Sequence, residues 1–282
     1  MEWYPKVLRW INSAFPTLRL TRKRNLTRLT HAILKKRTLC QAELARAWPG
    51  QTIHRHKKKQ LHRFAKNEAL RPLTLLAQLI PKVCHRFGFA IGRVPLALDW
   101  TPLRPEEQGF FAALPCQGRS LPLLGWATSF PEIRQGPSQN DLEEAFVRRQ
   151  ALPPQAWPVL LADRGFGRVD FLRFLQGLGR VLGCEVSFVI RLPKGVTVTH
   201  QGQRRPLRDW PLADGQLIFL EGAYLRQDQA VRVNLVLYWK QGQKEPWYLA
   251  TDLGDPEEAI RLYAQRAWID EMFRDFKHRL GL

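Results

Sequence analysis

The first quarter of this chain of 282 residues is short of negative charge. Residues 1–70 hold 17 Lys and Arg against 3 Asp and Glu, whereas the remainder holds 27 against 22. Most of the net charge of +19 is therefore carried by one end of the molecule. A positive segment joined to a nearly balanced body points to a polyanion as partner, with nucleic acid first. Other shortages narrow the class. Cys40, Cys84, Cys116 and Cys184 are far apart and form no C-x-x-C pair. That argues against a disulfide framework and for reduced thiols. No long apolar run or lipidation signal accompanies the charge, which turns the reading away from a membrane surface. The opening MEWYPKVLRW lacks the apolar stretch of a secretory signal, so a cytosolic protein is expected. What the chain does have is a hydrophobic fraction of 45%, enough to build a core and too much for wholesale disorder.

Residues 21–66 read as helices. Leu26, Leu29 and Ile33 recur at helical spacing, and Lys35, Lys36 and Arg37 follow at the C-terminal end, where cations suit the dipole. A second helix fits Gln41–Trp48 and stops at Pro49-Gly50. A third begins near Ile53 with HRHKKKQLHRFAKN, its apolar side supplied by Ile53, Leu61 and Phe64. Helix, short helix, turn and basic helix outline a helix-turn-helix-like bundle. Arg55, Lys57, Lys58, Lys59 and Arg63 are its candidate DNA contacts. His54, His56 and His62 have no cysteine or acid at ligand spacing, so no zinc site is expected there. A small all-α domain over 1–70 is thus expected ahead of a larger one over 71–282.

In the second part the pattern changes. Residues 70–90 continue as a helix with Pro81 as a kink or break. VPLALDW (Val94–Trp100), GFFAALP and LPLLGWATSF are close-spaced strand candidates, which predicts an antiparallel meander. NDLEEAFVRRQAL reads as a helix capped by Asn140 or Asp141. WPVLLADRGFG is a buried-type strand, VDFLRFLQGLGRVLG a helix and EVSFVIRL a strand. Strands followed by strand–helix alternation argue for an α/β sheet of mixed direction. Residues 193–246 show period-two patterning, clearest at Val231, Val233, Leu235, Leu237 and Trp239, with turn signals at Asp214-Gly215 and Gln241-Gly242. They read as a β-rich insertion. WYLATD returns as a strand, and YAQRAWIDEMFRDFK (Tyr263–Lys277) closes as one helix.

The acids carry the chemistry. Asp99 ends the apolar run LALD, and Asp163 ends LLAD. Carboxylates at strand ends lie on the rim of a sheet, where ligands of α/β folds bind. Two or three converging there make an oxygen-rich site suited to magnesium or manganese and to phosphoryl transfer. Taken singly, each acid is as easily explained as a turn or cap residue. On the last helix, at about 100° per residue, Tyr263, Arg266, Asp270 and Lys277 share one stripe and Glu271 falls outside it. Trp268, Ile269, Met272 and Phe276 take the opposite side. An acid beside two cations and a phenol suits a metal and a nucleic-acid backbone. An ordinary amphipathic helix with charge pairs is the plainer alternative.

The spacing Y-x2-R-x3-acid-x6-K, met by Tyr263, Arg266, Asp270 and Lys277, resembles the signature of the insertion-sequence-4 family of bacterial transposases. LALDWT and LADRGF resemble the blocks around that family's first two catalytic aspartates, here Asp99 and Asp163. The resemblance implies a ribonuclease-H-like fold carrying the β-rich insertion. It further implies two magnesium (or manganese) ions held by Asp99, Asp163 and a third acid, Asp270 or Glu271. The implied activity is cutting and joining of double-stranded DNA at element ends and target, by dimers in a synaptic complex on the bacterial nucleoid. Two departures stand out. The family carries Glu where this chain has Asp270, followed by Glu271, and members continue well past the lysine, whereas this sequence stops at Leu282. A truncated or decayed copy that only binds DNA, and a metal-dependent nuclease of the same fold, are the rival readings.

Overall fold

The computed structural model describes residues 3–68, 70, 72–129, 131, 136–148, 152–225 and 231–280. The chain divides into two compact units, Met1–Arg86 with Met272–Leu282, and Phe87–Glu271. The division expected at residue 70 falls inside the first unit, and the chain's last helix begins in one unit and ends in the other.

The first unit is built of helices α1 (Trp3–Ala14), α2 (Leu20–Lys36), α3 (Gln41–Ala47), α4 (His54–Ala65) and α5 (Pro72–Arg86). Helix α1 lies ahead of the periodic stretch that begins at 21. Its buried Ile11 and Ala14 join Phe15 in a small core, with Leu26 of α2 and Leu75 and Leu79 of α5 against it. A second core gathers Ala32 of α2, Leu44, Ala47 and Trp48 of α3 and its end, and Leu61 of α4. Helix α2 ends where Arg37 turns left-handed at φ 52 and its N–H returns to Ile33 O. Helix α5 runs through Pro81 rather than stopping there. Residues near the chain's end complete the unit: the Leu280 carbonyl accepts from Leu39 N at 2.8 Å and from Thr38 Oγ1 at 3.4 Å. Among the described residues no helix is long and apolar enough to cross a membrane.

The second unit is mixed α/β around one 10-stranded sheet in the order β3-β2-β1-β4-β5-β10-β9-β8-β6-β7. Strands β1 (Gly92–Arg104), β2 (Glu107–Cys116) and β3 (Arg119–Ser129) form the antiparallel meander. Strand β4 (Ala156–Ala162) runs parallel to β1, and β5 (Ser187–Arg191) parallel to β4. Between β3 and β4 lies helix α6 (Gln139–Val147); between β4 and β5 lies α7 (Val169–Leu182). Strands β6 (Thr197–His200), β7 (Gln203–Pro206), β8 (Leu217–Leu225) and β9 (Val231–Tyr238) fill the expected β-rich stretch and all hydrogen-bond into the same sheet. Strand β10 (Trp247–Thr251) enters antiparallel between β5 and β9. Helix α8 (Pro256–Ala264), a 3-10 turn (Gln265–Ala267) and α9 (Trp268–Arg279) follow.

Central strands are apolar on both sides: Leu96, Ala97 and Leu98 of β1, and Val159 to Ala162 of β4, are fully buried. Alternation sends successive side chains to opposite faces. Val159, Leu161 and Val189 therefore share one face, where they pack with Ala259, Leu262 and Tyr263 of α8. Three expectations are corrected. Helix α6 is capped by Ser138, not by Asn140 or Asp141; Ser138 accepts from Asp141 N while the Asp141 carboxylate accepts from Ser138 N. This reciprocal box satisfies two backbone donors and so outcompetes a later start. Strand β1 does not end at Asp99 but runs to Arg104, because β2 continues to pair with it after β4 has stopped. The segment Tyr263–Lys277 is not one helix: the 3-10 turn breaks it, so the stripe drawn at a uniform pitch does not apply across residues 265–267.

Candidate active site and nucleic-acid interface

The parallel register of β1 and β4 builds the site. Ala97 pairs with Leu161, so two residues further on Asp99 and Asp163 stand level on neighbouring strands, which are roughly 4.8 Å apart in a sheet. By alternation both point to the face that α8 covers. There the 3-10 turn after α8 delivers Arg266. Its Nη2 lies 2.5 Å from Asp99 Oδ2 and 3.9 Å from Asp163 Oδ2, and its Nη1 lies 3.3 Å from Asp270 Oδ2. Three carboxylates from β1, from the end of β4 and from the first turn of α9 thus meet on one guanidinium. Glu271, the next residue, turns elsewhere and pairs with Arg119 of β3 at 2.7 Å.

The electrostatics are uneven. The side chains of Arg266 and Asp99 are only 14% and 16% exposed, whereas those of Asp163 and Asp270 are 43% and 53% exposed. Burial pushes the Asp99 carboxyl up to about 6; Arg266 and the Trp100 N–H pull it down, while Asp163 and Asp270 push it up. Three carboxylates share one guanidinium, so the cluster has a formal excess of negative charge. Asp163 also accepts from Gly165 N at 3.0 Å, which folds the Arg164–Phe166 turn directly after it. Among the described residues no three His, Cys, Asp or Glu side chains are gathered closely enough to hold a metal ion as they stand. The donor set nonetheless fits a hard divalent cation: its donors are carboxylate oxygens, and the three carboxylates share one positive charge.

An aromatic layer supports the two strands. Trp100 and Phe166 both stack on Phe110 of β2, at centroid distances of 4.8 and 5.8 Å. Phe146 of α6 meets the same ring at 4.5 Å. On the site's own face, Phe111 is the cross-strand neighbour of Asp99 and of Gly125. A Cβ at Gly125 would come within 2.7 Å of the Phe111 ring, so glycine there lets the ring lie down over β3.

Tyr263 does not face outward. It is 6% exposed in the core under α8, its ring edge-on to Trp247 at 5.0 Å, and burial pushes its phenol up to about 12. Lys277 is exposed on α9. Sequence reasoning missed a second basic group beside Asp163. Arg164 and Arg191 both donate to Glu245, and with Lys194 and Tyr248 they line a cavity of about 130 Å³. Its one signal in the sequence is the arginine that follows Asp163.

In the first unit the basic residues of α4 are sorted by the helix. Arg55, Lys58, Lys59, His62 and Arg63 recur at i, i+3, i+4, i+7 and i+8, and with Gln41 they line a hollow of about 470 Å³. Lys57 lies off this stripe and is half-buried. Leu61 and Phe64 hold the opposite side to the core. Helix α4 contains no acid, so like charges face one another along one side, an arrangement that a polyanion relieves. Comparison with known proteins gives no matching family model and no matching curated relative.

Proposed function

We propose that the chain is a DNA transposase of the three-acid type, which cuts and joins phosphodiesters at the ends of an insertion sequence. The observation that carries this reading is the convergence of Asp99, Asp163 and Asp270, from three separate elements, on Arg266. The sheet adds support. An antiparallel meander joined to parallel β4 and β5, with acids level on β1 and β4, suits a ribonuclease-H-like core, and β6–β9 suit its β-rich insertion. Asp99, Asp163 and Asp270 would hold one or two magnesium or manganese ions, which activate an attacking oxygen and stabilise a leaving one.

The chain's own groups do the rest. Arg266 keeps three carboxylates together and offers a guanidinium to a phosphate. Arg164, Arg191 and Lys194 add positive charge beside Asp163. The α4 stripe takes the DNA backbone and groove, and Lys277 adds a cation on α9. Tyr263 serves by packing the helix that delivers Arg266. Water attacks a phosphodiester in line and breaks its P–O3′ bond, the 3′-oxygen leaving as a hydroxyl. That hydroxyl then attacks a target phosphodiester in line, loses its proton and displaces the target's 3′-oxygen, and two copies bring two ends together.

The test uses the full chain with the genomic DNA that flanks its coding frame. Salt-sensitive binding is expected without divalent cations, and nicked, cleaved and joined products only with Mg2+ or Mn2+; Asp99→Asn is expected to abolish the products and keep the binding. Binding with no cutting by the parent would instead identify a DNA-binding remnant, and cutting with no joining a nuclease.

A further inference from the structure

One carboxylate of the second unit is buried and has no part in the acid cluster. Glu143 of α6 is 1% exposed. Its Oε1 accepts from Trp100 Nε1 at 2.8 Å and from Gln139 Nε2 at 3.4 Å, and its Oε2 accepts from Arg168 Nη2 at 2.5 Å. Both distant partners are neighbours of the site. Trp100 directly follows Asp99 on β1 and, by alternation, points to the opposite face of the sheet. Arg168 follows the turn that begins at Asp163, and its Nη1 holds that turn by donating to Gly165 O at 2.9 Å. One side chain behind the sheet therefore grips the strand of the first aspartate and the loop of the second.

Burying an ion pair is an expensive way to gain stability, and apolar residues in place of both partners are often as good or better. What an apolar residue cannot do is fix a strand and the turn after its neighbour at one spacing through directed hydrogen bonds. We propose that Glu143 is a positioning residue: by holding Trp100 and Arg168 together it sets the separation of Asp99 and Asp163, and hence their joint affinity for a divalent cation. This rests on the reading of those aspartates as cation ligands. Groups that orient ligands from behind commonly change metal affinity or activity by about 10–100-fold when removed.

The experiment is calorimetric titration of MnCl2 into the full-length protein without DNA, alongside thermal melting. It compares the parent with Glu143→Gln, Glu143→Leu, Trp100→Phe and Asp99→Asn. Glutamine can still accept from Trp100 but loses the ionic grip on Arg168; leucine keeps neither. Manganese affinity is expected to fall by about tenfold in Glu143→Gln and further in Glu143→Leu, whereas an added control, Ser138→Ala, which destabilises the same helix by removing its cap, binds manganese as the parent does. Stability and affinity then move in different orders, which a merely structural role cannot produce. If Glu143→Leu does not fold, Trp100→Phe removes the other end of the grip while keeping an aromatic ring against Phe110, and the same drop in affinity is expected. Folded variants that bind manganese as the parent does, or affinity losses that follow the melting temperatures, overturn the proposal. If the parent shows no binding that Asp99→Asn removes, the cation reading of the cluster fails first and takes this proposal with it.

Discussion

Asp270 and Glu271 are one residue apart and face different partners, so the third acid can be tested one side chain at a time. Asp270 touches the guanidinium that also holds Asp99, whereas Glu271 is engaged by Arg119. Asp270→Asn is expected to lower divalent-dependent cleavage by about 100-fold or more, roughly the cost of misplacing one group by about 1 Å. Glu271→Gln is expected to leave most of it. A single-turnover cleavage assay decides between them, and the reverse ranking would return the role to Glu271. Asp99 yields a prediction about stability. Its carboxyl titrates near 6 in the folded chain, against about 3.9 when free. Folding therefore favours the protonated form. That contribution is complete below about pH 4 and is lost as pH rises through about 6. Without divalent cations, Asp99→Asn should be more stable than the parent at pH 7 by about 2–3 kcal/mol, with the gap closing toward pH 4. Urea unfolding at pH 4, 5, 6 and 7 measures it. Both strand aspartates could be read from the sequence because each ends an apolar run. Arg266 could be read only as one cation of a stripe. Its burial among carboxylates depends on three elements far apart in the chain, and no local pattern encodes that. Glu143 gave no signal at all, since it is one of three acids in a short amphipathic helix and such acids normally face water.

At the scale of elements, β1, β4 and β5 were legible from length and apolarity, and the β-rich stretch from its period of two. The break at Gln265–Ala267 was not, because it contains neither Gly nor Pro and so carries no local mark. Helix α1 was missed for a different reason: Trp3 and Trp10 are half exposed, so its aromatic residues blur the apolar side that Ile11 and Ala14 bury. The Ser138–Asp141 box is a local device and should behave as one. Ser138→Ala is expected to cost about 1 kcal/mol and to lower the melting temperature of the second unit by about 2–4 °C. The charged face of α4 should act as a unit against DNA. Replacing Lys58, Lys59 and Arg63 with Gln should reduce the slope of log affinity against log salt by about 2–3, at about 0.9 for each phosphate left unneutralised. Lys57→Gln, off the stripe, should change it far less. Fluorescence anisotropy over a salt series separates the two variants, and an equal effect would mean that DNA does not lie along the stripe.

On the scale of the whole molecule, charge and acids are divided between the two units, and so are binding and chemistry in our reading. The division does not follow the order of the chain. The helical unit takes in Met272–Leu282, where Met272 and Phe273 are buried and the Leu280 carbonyl receives two hydrogen bonds from the Thr38–Leu39 segment. Deleting residues 272–282 should destabilise that unit by roughly 3–6 kcal/mol, at about 1.5–3 kcal/mol for each large apolar side chain removed. DNA binding should weaken with it. Scanning calorimetry of the deletion variant checks this, and a melting profile like the parent's would show that residues 3–86 suffice.

The same closure bears on how the protein is made. Helices α1 to α5 leave the ribosome early, yet the stretch of backbone that completes their unit is not synthesised until residue 280. At about 5–20 residues per second, roughly 10–40 s separate the two events. During that interval the sheet unit can fold around its nascent strands while the basic helices wait for their last partner. The helical unit is therefore completed only after the whole sheet unit has been synthesised.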